Sequence, residues 1–131
     1  MGIEPQPTAP IRVLLVDDEP MFLEALQALL ETDTRVVVIA SAGNGIDAVA
    51  LARSERPDVA LVDLALPGGD GFETTRRLIA EAPPIKVVVI SGLSDGSELH
   101  AAREAGAARF LLKGGLHFEI ADAIVEAHLA A

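Results

Sequence analysis

Three aspartates, a serine and a lysine stand at the ends of short apolar runs, where such side chains can carry out chemistry. Asp63 ends one run and is followed by a loop rich in proline and glycine. Asp17 and Asp18 follow an earlier run, while Ser91 and Lys113 close two later ones. A carboxylate held at the end of a rigid element can act as a nucleophile or as a metal ligand. Taken alone, Asp63 is explained at least as well as a turn residue, because aspartate is common in turns.

Together these groups have the chemistry of phosphoryl transfer. Three carboxylates at one place repel one another, and burial makes each of them resist ionisation. A divalent cation resolves this conflict, since Mg²⁺ prefers oxygen ligands and accepts a shell of carboxylates, a backbone carbonyl and water. With a metal and Lys113 neutralising the phosphoryl oxygens, Asp63 can attack in line and form an aspartyl phosphate. Ser91 can then donate a hydrogen bond to a phosphoryl oxygen.

The five residues meet only if the elements before them are parallel strands of one sheet. Apolar runs predict strands over residues 11–16, 35–41, 58–63, 85–91 and 109–113, and helical spacing predicts helices over residues 20–31, 46–54, 70–82, 95–105 and 116–130. This alternation predicts an α/β fold, a doubly wound five-stranded parallel sheet with helices on both faces. The flavodoxin-like strand order 2-1-3-4-5 puts the first and third strands side by side, so the three aspartates converge at one edge.

Apolar spacing also predicts which side of each helix faces the sheet. In the second helix this side carries Ile46, Val49 and Ala50. In the last helix it carries Ile120, Ala123, Ile124 and Ala127. Gly106 is the expected C-terminal cap of the fourth helix.

Length and composition exclude several classes of protein. The 131 residues suffice for one domain, which we place at residues 11–131 behind a flexible leader at residues 1–10. A formal net charge of −10 argues against direct binding to a phosphate backbone. The absence of cysteine excludes disulfides and thiolate metal sites, and it fits a cytoplasmic protein. We find no signal peptide and no apolar run long enough for a membrane span.

Four segments of the chain together resemble the receiver domain of bacterial two-component response regulators. They are VDDEP at 16–20, LVDLALPGGDG at 61–71, VISG at 89–92 and FLLK at 110–113. The likeness extends over about residues 11–130, with the segments in the family's order. It implies a phosphorylation-controlled signalling switch whose enzymatic activity is limited to its own phosphorylation and dephosphorylation.

The resemblance assigns a role to each residue around the expected metal. Asp63 would be the phosphoacceptor, taking the phosphoryl group from a sensor histidine kinase. Asp18 and Asp63 would bind Mg²⁺ directly, and Asp17 would act through bound water. Ala65 would contribute its backbone carbonyl.

The same resemblance assigns the switching residues. Lys113 would contact the phosphoryl group, Ser91 would be the switch hydroxyl and Phe110 the switch aromatic, which lacks the hydroxyl of the commoner tyrosine. Positions 65 and 93 border the path of the hydrolytic water in the family. Ala65 and Leu93 are apolar and cannot orient that water, which predicts slow self-dephosphorylation.

The end of the fourth strand and the segment FLLKGG most resemble regulators that carry a C-terminal helix-turn-helix DNA-binding domain. On this resemblance, DNA is contacted only through an output domain that lies outside this sequence, and transcription is the regulated process. Dimerisation on phosphorylation is a further expectation, and a membrane partner is not expected. Many family members have proline after the lysine, whereas Gly114 follows Lys113, so we expect no proline-enforced cis bond there.

Two other functions have partial support in the sequence. Residues 43–48 match the G-x-G-x-x-A pattern of dinucleotide-binding turns, although they follow the second strand and a helix-capping turn explains them better. A haloacid-dehalogenase-like phosphatase also phosphorylates a strand-end aspartate. That family needs D-x-D after the first strand, and Val16, Asp17 and Asp18 do not supply it.

Overall fold

Five strands alternate with five α-helices in the computed structural model, which describes residues 9–66, 71–92, 96–115 and 120–130. The strands are β1 (Ile11–Val16), β2 (Val36–Ala42), β3 (Val59–Asp63), β4 (Lys86–Ser91) and β5 (Arg109–Leu112). The helices are α1 (Pro20–Glu31), α2 (Gly45–Glu55), α3 (Gly71–Glu81), α4 (Gly96–Ala105) and α5 (Ile120–Leu129). None of the helices in these ranges is long and apolar enough to cross a lipid bilayer.

The sheet is parallel throughout and has the order β2-β1-β3-β4-β5. This confirms the predicted doubly wound α/β fold. The register pairs Val16 with Val62 and Asp63 with Ile90, so β1, β3 and β4 end at nearly the same level. The polar residues that follow these strands therefore meet at one edge of the sheet.

Side chains alternate between the two faces of the sheet and form two cores. One core contains Leu15 and Leu61 and is covered by α1 and α5. The other contains Leu14 and Val62 and is covered by α2, α3 and α4. All five residues of β3 are buried, because this strand lies at the centre of the sheet with helices on both sides. The phosphoacceptor candidate Asp63 is thus attached to the most enclosed strand.

The prediction for α2 is correct for only one of its three residues. Val49 is buried as predicted, but Ile46 is 75% exposed and Ala50 is also exposed, and Ala48 and Ala52 are buried instead. Small residues face the core because the helix lies close to its neighbour. A Cβ atom added at Gly45 would lie 2.4 Å from Thr74 Oγ1 in α3. The prediction for α5 is correct, since all four of its predicted residues are buried.

Other local predictions have mixed outcomes. Gly106 has a φ of 104° and follows α4, which confirms it as the cap. The predicted fifth strand is one residue too long, because Lys113 begins a 3₁₀ turn that ends at Gly115. The predicted start of the last helix falls at 116–119, outside the described residues, and so do residues 1–8 of the expected leader.

Candidate functional site

Asp63 is the last residue of β3, and its carboxylate is anchored on both oxygens. Its Oδ1 accepts a hydrogen bond from the Ala65 backbone N–H at 3.1 Å. Its Oδ2 accepts one from Lys113 Nζ at 3.2 Å. The residue is only 3% exposed, yet it lines an open cavity of about 560 Å³. Asp63 is therefore held rigidly while its carboxylate remains accessible to a small reactant.

Gly71 fixes the backbone on which Asp63 stands. A Cβ atom at Gly71 would lie 2.5 Å from Leu64 Cα and 2.6 Å from the Asp63 carbonyl oxygen. The Gly71 N–H donates to the Leu64 carbonyl at 3.1 Å, and Thr75 Oγ1 donates to the Gly71 carbonyl at 2.7 Å. Only glycine permits this approach, which ties the start of α3 to the end of β3.

Asp17, Asp18 and Asp63 form an acidic cluster at the ends of β1 and β3. Each offers a carboxylate oxygen, and the three oxygens lie within 4.8 Å of one another. Asp17 and Asp63 are buried and Asp18 is exposed. The predicted convergence of the three aspartates is therefore correct.

Asp17 is buried beside the charged side chains of Asp63 and Lys113. Its Oδ1 accepts a hydrogen bond from the Glu19 backbone N–H at 2.8 Å. Its buried Oδ2 accepts no hydrogen bond from the described residues, although Lys113 Nζ lies 3.4 Å away. Burial raises the pKa of Asp17 to about 6, with the charge of Asp63 acting in the same direction and the Glu19 hydrogen bond opposing it.

This cluster fits a divalent cation. The carboxylate oxygens of the three aspartates are the ligand type that Mg²⁺ prefers. The buried Asp17 Oδ2 is an acceptor in need of a partner, and burying such an atom is costly. A cation near it would supply that partner and offset the repulsion between the carboxylates.

Lys113 stands among the acids as their counter-charge. Its Nζ lies 3.0 Å from Glu19, 3.2 Å from Asp63 and 3.4 Å from Asp17. It also lies 4.3 Å from the centre of the Phe22 ring, within range of a cation–π interaction. Burial alone would lower the pKa of Lys113, but the neighbouring carboxylates outweigh it and raise the pKa above its usual range. Lys113 therefore remains charged beside Asp63.

Ser91 ends β4 on the same cavity. Its side chain is buried, and Oγ donates a hydrogen bond of 2.6 Å to Glu98 Oε1 in the first full turn of α4. Ser91, Glu98 and Lys113 all line the cavity that contains Asp63. The predicted hydroxyl is thus brought to the site, together with a carboxylate that the spacing of residues did not reveal.

Phe110 is not part of that cavity. It is half-buried in β5 and pairs in register with Val89. It lines a separate cavity of about 150 Å³ between α4 and β5, together with Leu99 and Ala102. Its ring therefore has free space beside it on the α4 side. Leu93, the other expected neighbour of the site, lies outside the described residues.

Sequence reasoning missed Glu19, Phe22 and Glu98 as members of the site. Glu19 directly follows the aspartate pair, so its position was the available signal. Phe22 and Glu98 are placed by the rotation of α1 and α4, and no strand-end rule identifies them. The peptide bond between Lys113 and Gly114 is trans, as expected.

The glycine-rich turn at 43–48 is a helix cap. Asn44 Oδ1 accepts a hydrogen bond from the Asp47 backbone N–H at 2.8 Å, which satisfies the first turn of α2. This supports the capping interpretation of the turn. A dinucleotide-binding function would require Asp63 to bind a ribose hydroxyl. Asp63 already accepts a hydrogen bond from Lys113.

A family model decides the assignment, since the response regulator receiver domain matches residues 13–125. The chain belongs to this family. The function of receiver domains is that of a switch controlled by phosphorylation, and they use Mg²⁺ at an acidic pocket. The expected family resemblance is therefore confirmed.

Individual relatives agree with this assignment. The transcriptional regulatory protein LiaR of Bacillus subtilis is 41% identical to this receiver over 114 residues, which are 87% of the chain and 54% of LiaR. The receiver domain of the response regulator NarL from Mycobacterium tuberculosis superposes with a TM-score of 0.87 at 32% identity, covering 93% of this chain and 98% of that one.

A third relative is a response regulator from Burkholderia pseudomallei, solved with a phosphorylated aspartic acid, a calcium ion and citrate. It has a TM-score of 0.78 at 26% identity and covers 87% of this receiver and 66% of that chain. The present chain spans about half the length of the curated LiaR relative.

Proposed function

We propose that Asp63 is the phosphoacceptor of this receiver and that its phosphorylation by a sensor histidine kinase controls a transcription regulator. One observation carries the proposal: Lys113 Nζ lies 3.2 Å from the strand-end carboxylate of Asp63, beside two further aspartates. This is the charge pattern that stabilises a transferring phosphoryl group next to an oxygen nucleophile. The phosphorylated aspartate of the Burkholderia relative supports it.

In the proposed step, an Asp63 oxygen attacks the phosphorus atom of the kinase phosphohistidine in line with the breaking bond. The P–O bond to Asp63 forms as the P–N bond breaks, and the freed imidazole takes up a proton from water. Lys113 stabilises the negative charge on the phosphoryl oxygens. Hydrolysis later returns the carboxylate and releases inorganic phosphate, so the only enzymatic activity is on the receiver itself.

The acidic cluster supports the proposed metal site. Asp18 and Asp63 would bind Mg²⁺ directly, Asp17 would act through water and Ala65 would contribute its carbonyl. When bound, Mg²⁺ supplies positive charge that offsets both the carboxylate cluster and the phosphoryl oxygens.

The switch itself depends on Ser91 and Phe110. The proposed phosphoryl group attracts the Ser91 hydroxyl, and the Phe110 ring moves into the space that this rearrangement opens. The cavity on the α4 side of Phe110 supports a mobile ring, because the ring is not closely packed there. Phosphorylation then shifts the population between two arrangements of the surface formed by α4 and β5.

The regulated output and the partners follow from the relatives. LiaR is a transcriptional regulatory protein, and this chain spans 54% of it. We therefore propose that a DNA-binding output domain, outside this chain, carries the response to DNA, and that phosphorylation promotes a homodimer. The strongly acidic receiver would not contact DNA itself. We also propose that the protein is located in the cytoplasm.

Intact-mass measurement tests the proposal. The chain is incubated with acetyl phosphate, with and without Mg²⁺, alongside Asp63→Asn and the matched variant Asp58→Asn. Asp58 directly precedes β3, at the end of the strand opposite to Asp63. We expect one added phosphoryl group in the wild type and in Asp58→Asn, only with Mg²⁺. We expect none in Asp63→Asn. Equal labelling of all three proteins would contradict the proposal.

A further inference from the structure

The Ser91 hydroxyl is engaged by a carboxylate on a neighbouring helix. Ser91 Oγ donates to Glu98 Oε1 at 2.6 Å, which is short for a hydrogen bond and typical of one to an ionised acceptor. Ser91 is 2% exposed and Glu98 is half-buried. Because the Ser91 hydroxyl is buried, we expect this hydrogen bond to be stronger than one between two exposed side chains.

Glu98 and a phosphoryl group on Asp63 would compete for this hydroxyl. A serine has one O–H donor, so the proton that points to Glu98 cannot point to a phosphoryl oxygen at the same time. Both acceptors are anionic, and both face the cavity that Asp63 and Ser91 line. A phosphoryl group on Asp63 would therefore repel the Glu98 carboxylate and attract the Ser91 hydroxyl.

We propose that Glu98 is a positioning residue that holds the Ser91 hydroxyl away from Asp63 in the unphosphorylated receiver. Phosphorylation transfers the hydroxyl from the carboxylate to the phosphoryl group and releases the first turn of α4. The inference rests on the proposed function. It adds that the hydrogen bond between Ser91 and Glu98 couples the phosphorylation site to α4. It also makes Glu98 a determinant of how readily the receiver enters its active state.

A plain helical role for Glu98 gives a different expectation. A carboxylate in the first turn stabilises a helix through its positive end, with no need for Ser91. Under that role, removal of Glu98 changes the stability of α4 and has the same effect whether or not Ser91 is present. The two roles are separated by a double-mutant cycle.

The experiment measures the binding of beryllofluoride, an anion that binds an aspartate carboxylate as a mimic of its phosphoryl form. Affinity in excess Mg²⁺ is followed by ¹⁹F NMR for the wild type, Glu98→Ala, Glu98→Gln, Ser91→Ala and the double variant of Ser91→Ala with Glu98→Ala. We expect Glu98→Ala to bind about tenfold more tightly than the wild type, because the competing acceptor is gone. Glu98→Gln keeps an acceptor but loses the charge, so its gain is smaller.

The Ser91→Ala background isolates the hydrogen bond. There we expect Glu98→Ala to change the affinity by about threefold or less, since only the like charge is removed. Glu104→Ala is the control on the same helix, because Glu104 is exposed and pairs with His100, and it leaves the affinity unchanged. An equal gain in both backgrounds, or no gain from Glu98→Ala, would overturn the inference.

Failure of the proposed function gives a separate result. If Asp63 is not the acceptor, the wild type and Asp63→Asn bind beryllofluoride equally or not at all. If only the inference fails, binding depends on Asp63, but Glu98→Ala gives either no gain in affinity or the same gain with and without Ser91.

Discussion

Lys113 Nζ lies 3.2 Å from Asp63 Oδ2, although the two residues are 50 positions apart in the chain. They belong to opposite sides of β4, which separates β3 from β5 in the sheet. The contact therefore depends on the order of three strands and on the 3₁₀ turn in which Lys113 lies.

Replacement of Lys113 tests its role as the counter-charge. In Lys113→Ala, the phosphoryl oxygens lose a fixed positive charge, and we expect phosphorylation by acetyl phosphate to slow by about 100-fold or more. The measurement is the initial rate of the mass increase at saturating Mg²⁺. Lys86→Ala is the matched control, because Lys86 begins β4 at the opposite edge of the sheet. Equal rates in Lys113→Ala and the wild type would refute this role.

Replacement of Asp17 tests the cost of its buried charge. Folding raises the pKa of the Asp17 carboxyl from about 3.8 to about 6, chiefly because the group becomes buried. Between these values a rise in pH favours the unfolded chain, and the full penalty persists above pH 6. We therefore expect Asp17→Asn to raise the free energy of unfolding by about 1 to 3 kcal/mol at pH 7.5 without Mg²⁺.

Urea denaturation at two pH values provides the measurement. The difference between Asp17→Asn and the wild type should be large at pH 7.5 and should nearly vanish at pH 4. Added Mg²⁺ should stabilise the wild type at pH 7.5 and reduce the advantage of the variant. A difference that is the same at both pH values would show that the charge is not its cause.

Replacement of Gly71 tests the anchoring of Asp63. A Cβ atom there meets backbone atoms of Asp63 and Leu64, which cannot rotate away. We expect Gly71→Ala to destabilise the fold by about 1 to 3 kcal/mol and to slow phosphorylation. The control is Gly114→Ala, since a Cβ atom at Gly114 has no neighbour within 4 Å among the described residues. If both variants unfold at the same urea concentration, the close packing is not needed.

We expect the side chains at positions 65 and 93 to affect the lifetime of the phosphorylated state. Ala65 and Leu93 offer no hydrogen bond to a hydrolytic water, so the acyl phosphate should decay slowly. We expect Ala65→Asn and Leu93→Glu to shorten its lifetime. Decay is followed by intact mass after removal of the phosphodonor, with Glu104→Gln as the surface control. Lifetimes that match the wild type would remove this explanation.

The sequence allowed the sheet order and the acidic edge to be predicted, since both follow from local signals. Apolar runs mark the strands, and parallel strands bring their carboxyl ends together, so the sequence alone places Asp17, Asp63 and Ser91 at one edge. Glu98 could not be located in this way. Its contact with Ser91 depends on the rotation and height of α4, which packing determines.

The same limit explains the error in α2. The spacing predicts that the larger apolar side chain of Ile46 is buried. Ala48 and Ala52 are buried instead, because α2 and α3 approach closely. The spacing of apolar residues identifies an amphipathic helix reliably. It is less reliable for the residues of the buried side when small residues line the contact. The contact between the Phe22 ring and Lys113 could not be predicted from the sequence. It joins α1 to the turn after β5, and it depends on how these two elements pack.

The identity of the phosphorylated residue tests the proposed function most sharply. Borohydride reduces an acyl phosphate of aspartate to homoserine, and peptide mass spectrometry then locates the altered residue. After incubation with acetyl phosphate and Mg²⁺, we predict homoserine at position 63 and unmodified aspartate at positions 17 and 18. Homoserine at position 17 or 18, or no homoserine in a chain that has gained a phosphoryl group, would contradict it.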